Sequence, residues 1–406
     1  MGMGTTGGDR GSPGLMLGLA TLGFALNFWA WSLLSPLGPM FKDELRLSPF
    51  QQSLLVAVPV IVGSLGRIPV GLLTDRYGGR VMFTAVSALT VVPVLFLAWL
   101  GDTSLAALLV GGFFLGIGGT AFAVGVPFVN AWYPPERRGT AIGVFGMGMG
   151  GTAISAFTTV RMADAWGLPV PFLVTAVVLA VFAVAAWLLM RDSPERPTPS
   201  GSALGGLKDT CRLTVTWEAS ALYAVAFGGY VAFSVYLPTY LENAYRLTPT
   251  DASNRMAGFV ILAVVMRPVG GWLSDRIGAV RVLAVAMAAV TVGAAVQAFT
   301  PPLMPVGTVA FLLMAAALGA GSGAVFALVA LLAPAGKVGG VTGVVGAAGG
   351  LGGFIPPLIM GAVYGATGGY GIGLALLAVV AAAAAAFTAT WVRRAVARRT
   401  GVSGGR

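Results

Sequence analysis

The chain has 406 residues, of which 57% are hydrophobic and only 9% charged, and its mean hydropathy is +0.88. A soluble domain carries about 25% charged residues, so this composition excludes a water-soluble globular protein and indicates an integral membrane protein. The net charge of +10 could suit nucleic acid. The basic residues are distributed as in a membrane protein, however, so the bilayer is the expected partner and nucleic acid is not.

Twelve stretches of about 20 apolar residues follow one another along the chain. Each predicts a membrane-spanning helix, because lipid cannot hydrogen-bond an open backbone. The predicted starts are near residues 14, 50, 80, 104, 138, 169, 217, 254, 280, 305, 338 and 370. We therefore predict an all-α integral membrane fold, with a disordered N-terminal tail over 1–13 and a basic C-terminal tail over 396–406.

An arginine interrupts the second predicted span, in "GRIPVGLLTDRYGGR" (66–80). Arg67 lies eight residues before Asp75, which places it about 12 Å of helix from the loop that follows. A guanidinium inside a bilayer is costly. Two interpretations are open: the side chain extends to the interface, or the protein needs a cation at this depth.

The same segment returns 200 residues later as "MRPVGGWLSDRIGAVR" (266–281), which aligns Arg67 with Arg267 and Asp75 with Asp275. A second pair of segments, 134–151 and 334–353, repeats at the same offset. Two loci at one offset predict a duplicated six-helix unit. The predicted halves cover 14–190 and 217–395 and are joined by a polar cytoplasmic linker over 191–216. A transporter with its site between two halves at mid-membrane has this organisation.

The basic residues predict the topology. Five of the 24 Lys and Arg residues fall on one side of the predicted spans, two lie within spans, and the remaining seventeen lie on the other side. Cytoplasmic loops carry the excess of Lys and Arg, so both termini are predicted in the cytoplasm and the protein in the inner (plasma) membrane.

The two arginines within spans have no obvious counter-ion. Glu218 and Glu242 stand at the ends of the seventh predicted span, no Asp or Glu lies well inside any span, and histidine is absent. A bound anion would neutralise the pair. The planar fork of arginine suits an oxyanion, and its charge does not titrate in a protein.

Glycines are concentrated in the fifth and eleventh predicted spans, "GTAIGVFGMGMGGTAISAF" (139–157) and "GGVTGVVGAAGGLGGFIPPLIMG" (339–361). Missing side chains either allow very close helix packing or hinge motion, or leave room for a small ligand. Both interpretations stay open for the glycines concerned: Gly143, Gly146, Gly148, Gly150, Gly346, Gly349, Gly350 and Gly352.

The loop after the second span resembles the signature loop of the major facilitator superfamily, and a weaker copy follows the eighth span. The residues that carry the resemblance are Gly71, Asp75, Arg76 and Arg80, with Asp275 and Arg276 in the copy. The resemblance implies a fold of two pseudo-symmetric six-helix bundles and a loop that latches the cytoplasmic gate. A basic loop that only orients the chain is the alternative.

The glycine-rich spans, with "GGTAFAVGVPFVNAWYPPERRGTAIG" (118–143), are similar to the nitrate signatures of the nitrate/nitrite porter family. That resemblance implies that Arg67 and Arg267 bind the anion. In "ALYAVAFGG" (221–229) it implies a substrate hydroxyl at Tyr223 and an aromatic wall at Phe227. It also implies that Phe122 and Phe326 sandwich the flat anion.

Three positions depart from the family pattern. Met149 stands where the family usually has asparagine, and Ser322 and Ala327 stand where it tends to have asparagine and glutamine. Fewer polar groups then line the predicted pore, so the expected substrate class is a small inorganic anion, with nitrate and nitrite the leading candidates.

The predicted function is therefore secondary transport of a small inorganic anion by alternating access, as nitrate/nitrite exchange. The alternatives are a proton-coupled symporter of nitrate or of a small organic anion, and a non-transporting anion sensor with a transporter fold. An enzyme is disfavoured, because the chain has no His, one loop cysteine (Cys211) and no embedded carboxylate. No cofactor or metal is expected, and the expected assembly is a monomer.

Overall fold

The structure is a computed structural model that describes residues 11–101, 103–194, 203–334 and 338–400. These residues form helices and connecting turns, with no strand among them. Twelve helices are long and apolar enough to cross a membrane, which confirms the twelve predicted spans. We number them α1 to α12: Pro13–Leu45, Pro49–Tyr77, Gly79–Leu100, Leu105–Trp132, Ala141–Trp166, Pro169–Leu189, Thr214–Tyr245, Pro249–Ile277, Ala279–Ala298, Leu303–Leu332, Gly340–Thr367 and Gly371–Arg398.

The helix starts follow capping signals that are visible in the sequence. Ser48 begins α2 with a capping box, in which its hydroxyl accepts from Gln51 N and the Gln51 side chain accepts from Ser48 N. Thr248 caps α8 through Asp251 N, and proline occupies the first turn of both helices. These signals place the helix starts within about five residues of those predicted by apolar length alone.

The connection between the halves contains a short helix, Ala203–Cys211, and α7 begins directly after it at Thr214. Residues 195–202 of the predicted linker lie outside the described residues, as do residues 1–10 of the predicted N-terminal tail and 401–406 of the C-terminal tail. At the C-terminus the helix continues through Arg393–Thr400, so the predicted basic tail begins inside a helix.

Several spans are interrupted near the middle of the molecule. α2 breaks at Gly66, between Pro49–Leu65 and Arg67–Tyr77, and α4 tightens into a 3-10 turn over Gly116–Thr120. The backbones of α2 and α4 touch at this level, because an added Cβ on Gly119 would lie 2.9 Å from Gly63 Cα. Tightened turns redirect backbone carbonyls, so acceptors become available beside Arg67.

The two bundles, α1–α6 and α7–α12, are joined by hydrogen bonds at the end remote from the linker, which we call the far end. Lys42 Nζ donates to Asn243 Oδ1 at 2.9 Å. Ser35 Oγ donates to Val235 O at 2.7 Å, and Ser53 pairs with the buried hydroxyl of Tyr236 at 3.2 Å. These bonds close the interface between the bundles on the far side.

A buried tyrosine completes the far-end network. The hydroxyl of Tyr370 accepts from Asn243 Nδ2 at 3.0 Å and lies 3.3 Å from the Tyr236 hydroxyl. Burial raises the pKa of Tyr370, which keeps its hydroxyl protonated. The far end is therefore fastened by neutral hydrogen bonds together with one lysine contact.

Toward the opposite, linker end, several equivalent glycines of the two halves have open space beside them. An added Cβ would meet nothing within 4 Å at two pairs of residues that are each 200 positions apart, Gly71 with Gly271 and Gly143 with Gly343. The hydrogen bonds between the bundles described above thus lie at the far end, whereas these four glycines toward the linker end have open space beside them.

Candidate functional site

Arg67 lies in the middle of the molecule, directly after the break in α2. Its side chain is 7% exposed. Its Nη1 donates to Gly346 O on α11 of the other bundle at 2.8 Å, and its Nε donates weakly to Gly119 O on α4 at 3.4 Å. Arg67 is thus held by backbone carbonyls, one of which belongs to the opposite bundle.

Arg267 occupies the equivalent position on α8 but has different partners. Its Nη2 donates to the Tyr223 hydroxyl at 2.9 Å, and its Nη1 lies 2.7 Å from Met149 Sδ on α5 of the other bundle. Unlike Arg67, this side chain is only half-buried. Two side chains, rather than the backbone, therefore orient the second guanidinium.

Aromatic rings surround both guanidiniums. Phe122 and Phe227 are common to the two: Arg67 Cζ lies 5.3 and 5.6 Å from their ring centroids, and Arg267 Cζ lies 5.9 and 5.5 Å from them. Phe326 lies 5.7 Å from Arg267 Cζ alone. The ring of Tyr223 stacks on Phe227 with centroids 4.9 Å apart. Such contacts stabilise a cation in an apolar setting.

All six predicted substrate-binding residues therefore meet at one place between the bundles. Phe122 and Phe227 lie near both arginines. Phe122 and Phe326, the pair expected to sandwich the anion, both lie near Arg267, and Phe326 also meets the Tyr223 ring edge-on at 4.8 Å. The periodicity of each helix could not have revealed these contacts, because they depend on how four separate helices pack.

The glycines of α11 are close-packing positions on several faces. A Cβ on Gly349 would overlap the Tyr223 ring, one on Gly350 would overlap Ser64 of the opposite bundle, and one on Gly352 would overlap the α7 backbone. Gly346 differs, since a Cβ there would make only ordinary contact with Phe122, and its carbonyl is the acceptor for Arg67.

The glycines of α5 are less enclosed. Gly148 abuts Phe24 of α1, whereas an added Cβ on Gly143, Gly146 or Gly150 would meet nothing within 4 Å. Close packing therefore explains Gly148 and three of the four predicted glycines of α11, and open space remains beside the other glycines of α5.

The three departures from the family pattern have different consequences. Met149 contacts Arg267 directly. The Ser322 hydroxyl donates to Leu318 O one turn back at 2.7 Å, which commits its hydrogen to its own helix. Ala327 offers no polar group and is partly buried. The sequence identified Met149 only as an anomaly, and only the packing of α5 against α8 shows what it touches.

The loop-motif arginines make contacts within their own bundles. Arg80 Nε donates to Trp187 O at 2.9 Å and the guanidinium lies 4.6 Å from that indole ring. Arg76 lies over Tyr77, and Arg276 over Trp272. Asp75 and Asp275 are both exposed.

Asp192 is a residue that sequence reasoning missed. Its Oδ1 accepts from Gly79 N at 2.6 Å and Arg80 N at 3.4 Å, at the N-terminus of α3. A carboxylate here satisfies open backbone donors and faces the positive end of the helix dipole. Its position directly after α6 carried no local signal, because the contact spans more than a hundred residues.

The electrostatics of the site favour a bound anion. Neither Arg67 nor Arg267 is in an ion pair with a carboxylate anywhere in the described ranges. The same residues contain no cluster of His, Cys, Asp or Glu that could hold a metal. Two forked donors, one hydroxyl and flanking ring faces can hold a single compact oxyanion by its edges.

Two six-helix bundles with a buried cationic site between them define the class of secondary transporters. Comparison with known families agrees: the model of the Major Facilitator Superfamily matches residues 20–357 and, in a second overlapping match, residues 219–406. The chain belongs to that superfamily.

Named relatives are similar over nearly the whole chain. A probable nitrate/nitrite transporter, NarK2 of Mycobacterium tuberculosis, is 48% identical over 380 residues, which cover 93% of this chain and 96% of the relative. The nitrite extrusion protein of Bacillus subtilis is 38% identical over 369 residues, covering 91% and 92%. A crystal structure of a bacterial homologue of the human lysosomal transporter Spinster, inward-facing and occupied, has the same fold, with a TM-score of 0.73 over 97% of this chain and 99% of that one at 18% identity.

Proposed function

We propose that this protein transports nitrate and nitrite across the plasma membrane by alternating access and binds the anion between Arg67 and Arg267. The observation that carries the proposal is the meeting of these two guanidiniums, one from each bundle, over the same two phenylalanine rings. The relatives that are named nitrate or nitrite transporters support the choice of anion.

Charge balance supports a monovalent substrate. The site carries two positive charges and no carboxylate, so one nitrate or nitrite leaves a single excess charge. A flat anion can lie against the faces of Phe122 and Phe227 while the guanidiniums donate to its oxygen atoms. The space beside Gly349 and Gly350 is already occupied by Tyr223 and Ser64, so it is not available to a larger organic anion.

The contacts of the arginines also favour exchange over uniport. The bonds from Arg67 to Gly346 O and from Arg267 to Met149 both join one bundle to the other. Reorientation without an anion must break these bonds and leave guanidinium hydrogens unpaired. A bound anion supplies replacement acceptors, so the loaded protein reorients faster than the empty one, as obligatory exchange requires.

Arginine cannot carry a coupling proton, and the residues that contact the two guanidiniums include no carboxylate or histidine. Transport should therefore depend on anion inside the vesicle and hardly at all on a pH gradient. The test is counterflow in proteoliposomes loaded with nitrite and assayed with external nitrate, chloride or formate.

Rapid nitrate uptake into nitrite-loaded vesicles, with slow uptake into anion-free vesicles, is the expected result. Strong accumulation in anion-free vesicles under an inward proton gradient would instead establish a proton-coupled symporter. Nitrate binding with no flux in either arrangement would establish an anion sensor.

The loop after α2 is proposed to latch the linker end, which the distribution of basic residues assigns to the cytoplasm together with both termini. Open space beside Gly71 and the other three equivalent glycines is compatible with movement at this end. Asp75→Asn should then slow exchange and increase labelling of cysteines introduced at cytoplasm-facing positions, while equilibrium nitrate affinity stays within a few fold. Asp275→Asn is the matched control in the weaker copy of the motif. Unchanged flux and labelling in Asp75→Asn would leave the loop a topological signal only.

A further inference from the structure

A groove lies at the linker end of the C-terminal bundle, away from the anion site. It consists of two adjoining cavities of about 440 and 380 Å³, which share Thr214, Glu218 and Trp391 as lining residues. The groove runs between the start of α7 and the end of α12 and is bordered by Leu332 at the end of α10. It is separate from every residue that contacts Arg67 or Arg267.

Along α12 the residues that line the groove change from charged to apolar, while Arg212 lines the same cavity as Phe387. Arg394 and Arg398 line its linker end, and Phe387 lines its other end, one helical turn beyond Trp391. At about 1.5 Å per helical residue, Arg398 and Phe387 are roughly 16 Å apart along α12. This distance and this order of polarity match a phospholipid headgroup and the first part of its acyl chain.

Two tryptophans are fixed at the boundary between the charged and apolar ends. Trp391 Nε1 donates to Glu218 Oε1 at 2.6 Å, which ties α12 to α7, and Trp217 Nε1 donates to Cys211 O at 2.7 Å. Both indoles are nevertheless more than half exposed, at 57% and 59%. Their polar edges are satisfied and their ring faces remain free, as is typical of tryptophan at a membrane interface.

The charges in the groove do not balance. Arg212, Arg394 and Arg398 line it, against the single carboxylate of Glu218, which is already bonded to Trp391. None of the three arginines is in an ion pair within the part of the chain that the structure describes. A phosphate group would complete the pairing, and basic pockets between helices on the cytoplasmic side suit anionic headgroups.

We infer that this groove binds one anionic phospholipid, with its phosphate among Arg212, Arg394 and Arg398 and its acyl chain along Trp391 and Phe387. The occupant is a lipid rather than free phosphate, because the apolar half of the groove has no role in holding a small ion. The inference is independent of the anion that the protein transports.

The test uses the purified full-length protein in native mass spectrometry, titrated with phosphatidylglycerol or phosphatidylcholine of identical acyl chains. Wild-type protein should retain one phosphatidylglycerol with about tenfold preference over phosphatidylcholine. The triple variant Arg212→Gln, Arg394→Gln, Arg398→Gln should lose that preference. The control triple Arg46→Gln, Arg161→Gln, Arg246→Gln removes three arginines from the opposite side and should keep it.

Two further arms separate a built groove from diffuse attraction. Trp391→Phe keeps every charge but removes the bond to Glu218, and should weaken phosphatidylglycerol retention by a few fold. Millimolar glycerol phosphate should not displace the lipid. Three results would each overturn the assignment. They are equal retention of both lipids by the wild type, an unchanged lipid preference in the variant that lacks Arg212, Arg394 and Arg398, and displacement of the lipid by glycerol phosphate.

Discussion

The two halves of the protein carry the same arginine 200 residues apart, yet they hold it in different ways. Arg67 is buried and donates to the carbonyls of Gly346 and Gly119, whereas Arg267 is half-buried and contacts the side chains of Tyr223 and Met149. A backbone acceptor persists through most substitutions, but a side-chain acceptor does not. The duplicated sequence thus provides one guanidinium whose hydrogen-bond partners are backbone atoms and one whose partners a single substitution can change.

The two glycine-rich helices, α5 and α11, also differ in how tightly their glycines are packed. Three of the four predicted glycines of α11 have neighbouring atoms where a Cβ would lie, including the Tyr223 ring beside Gly349, whereas three of the four predicted glycines of α5 adjoin open space. A side chain added at Gly349 would therefore displace Tyr223, which in turn contacts Arg267.

The largest effect is expected from replacing either arginine with lysine. Arg67→Lys and Arg267→Lys keep the charge but lose the fork, and each should reduce nitrate/nitrite exchange roughly 100-fold, since a charge-assisted hydrogen bond contributes about 1.5–3 kcal/mol. Exchange is measured in proteoliposomes, with thermal unfolding to confirm that the variants fold. Wild-type rates in both variants would place the site elsewhere.

The next effect is steric. Gly349→Ala puts a methyl group into the Tyr223 ring and should cost about 1–3 kcal/mol of local packing, seen as a lower melting temperature and at least tenfold slower exchange. Gly258→Ala on α8 adds the same methyl where nothing lies within 4 Å and serves as the control. Equal melting temperatures and exchange rates in the two variants would show that α11 shifts to accommodate the methyl group.

Removing one hydroxyl should have an intermediate effect. Tyr223→Phe deletes the acceptor for Arg267 Nη2 while the ring can still stack on Phe227. The loss of a hydrogen bond to a charged group should raise the apparent KM for nitrate about tenfold. A Tyr230→Phe control removes a hydroxyl bonded to Thr152 instead of to an arginine. If the two variants behave alike, the Tyr223 hydroxyl does not act through Arg267.

The smallest effect is expected at Met149. A thioether is a weak acceptor, so Met149→Leu should change the KM for nitrate by less than about threefold. Met149→Asn places a stronger acceptor and a donor beside Arg267, and should improve nitrate affinity by a few fold relative to nitrite. A loss in Met149→Leu as large as that in Tyr223→Phe would mean that sulfur orients the guanidinium as firmly as the hydroxyl does.

The amino-acid sequence by itself determined the number of spans, the duplication and the identity of the paired arginines. Apolar length reports a helix directly, because a membrane helix satisfies its backbone within its own segment. The 200-residue offset marks Arg67 and Arg267 as equivalent without any structure. Resemblance to porter signatures then added Tyr223 and the three phenylalanines, all of which meet at the site.

Only the tertiary structure decided what each arginine touches. The Gly346 carbonyl, the Met149 sulfur and the Asp192 carboxylate reach their partners across separations of 279, 118 and 113 residues. No local pattern encodes such contacts, because they depend on how helices that are far apart in the sequence rotate and approach one another. Backbone carbonyls are also present at every residue, so the sequence cannot mark which of them will accept from Arg67. The asymmetry between two arginines in equivalent sequence positions is therefore a property of the packing alone.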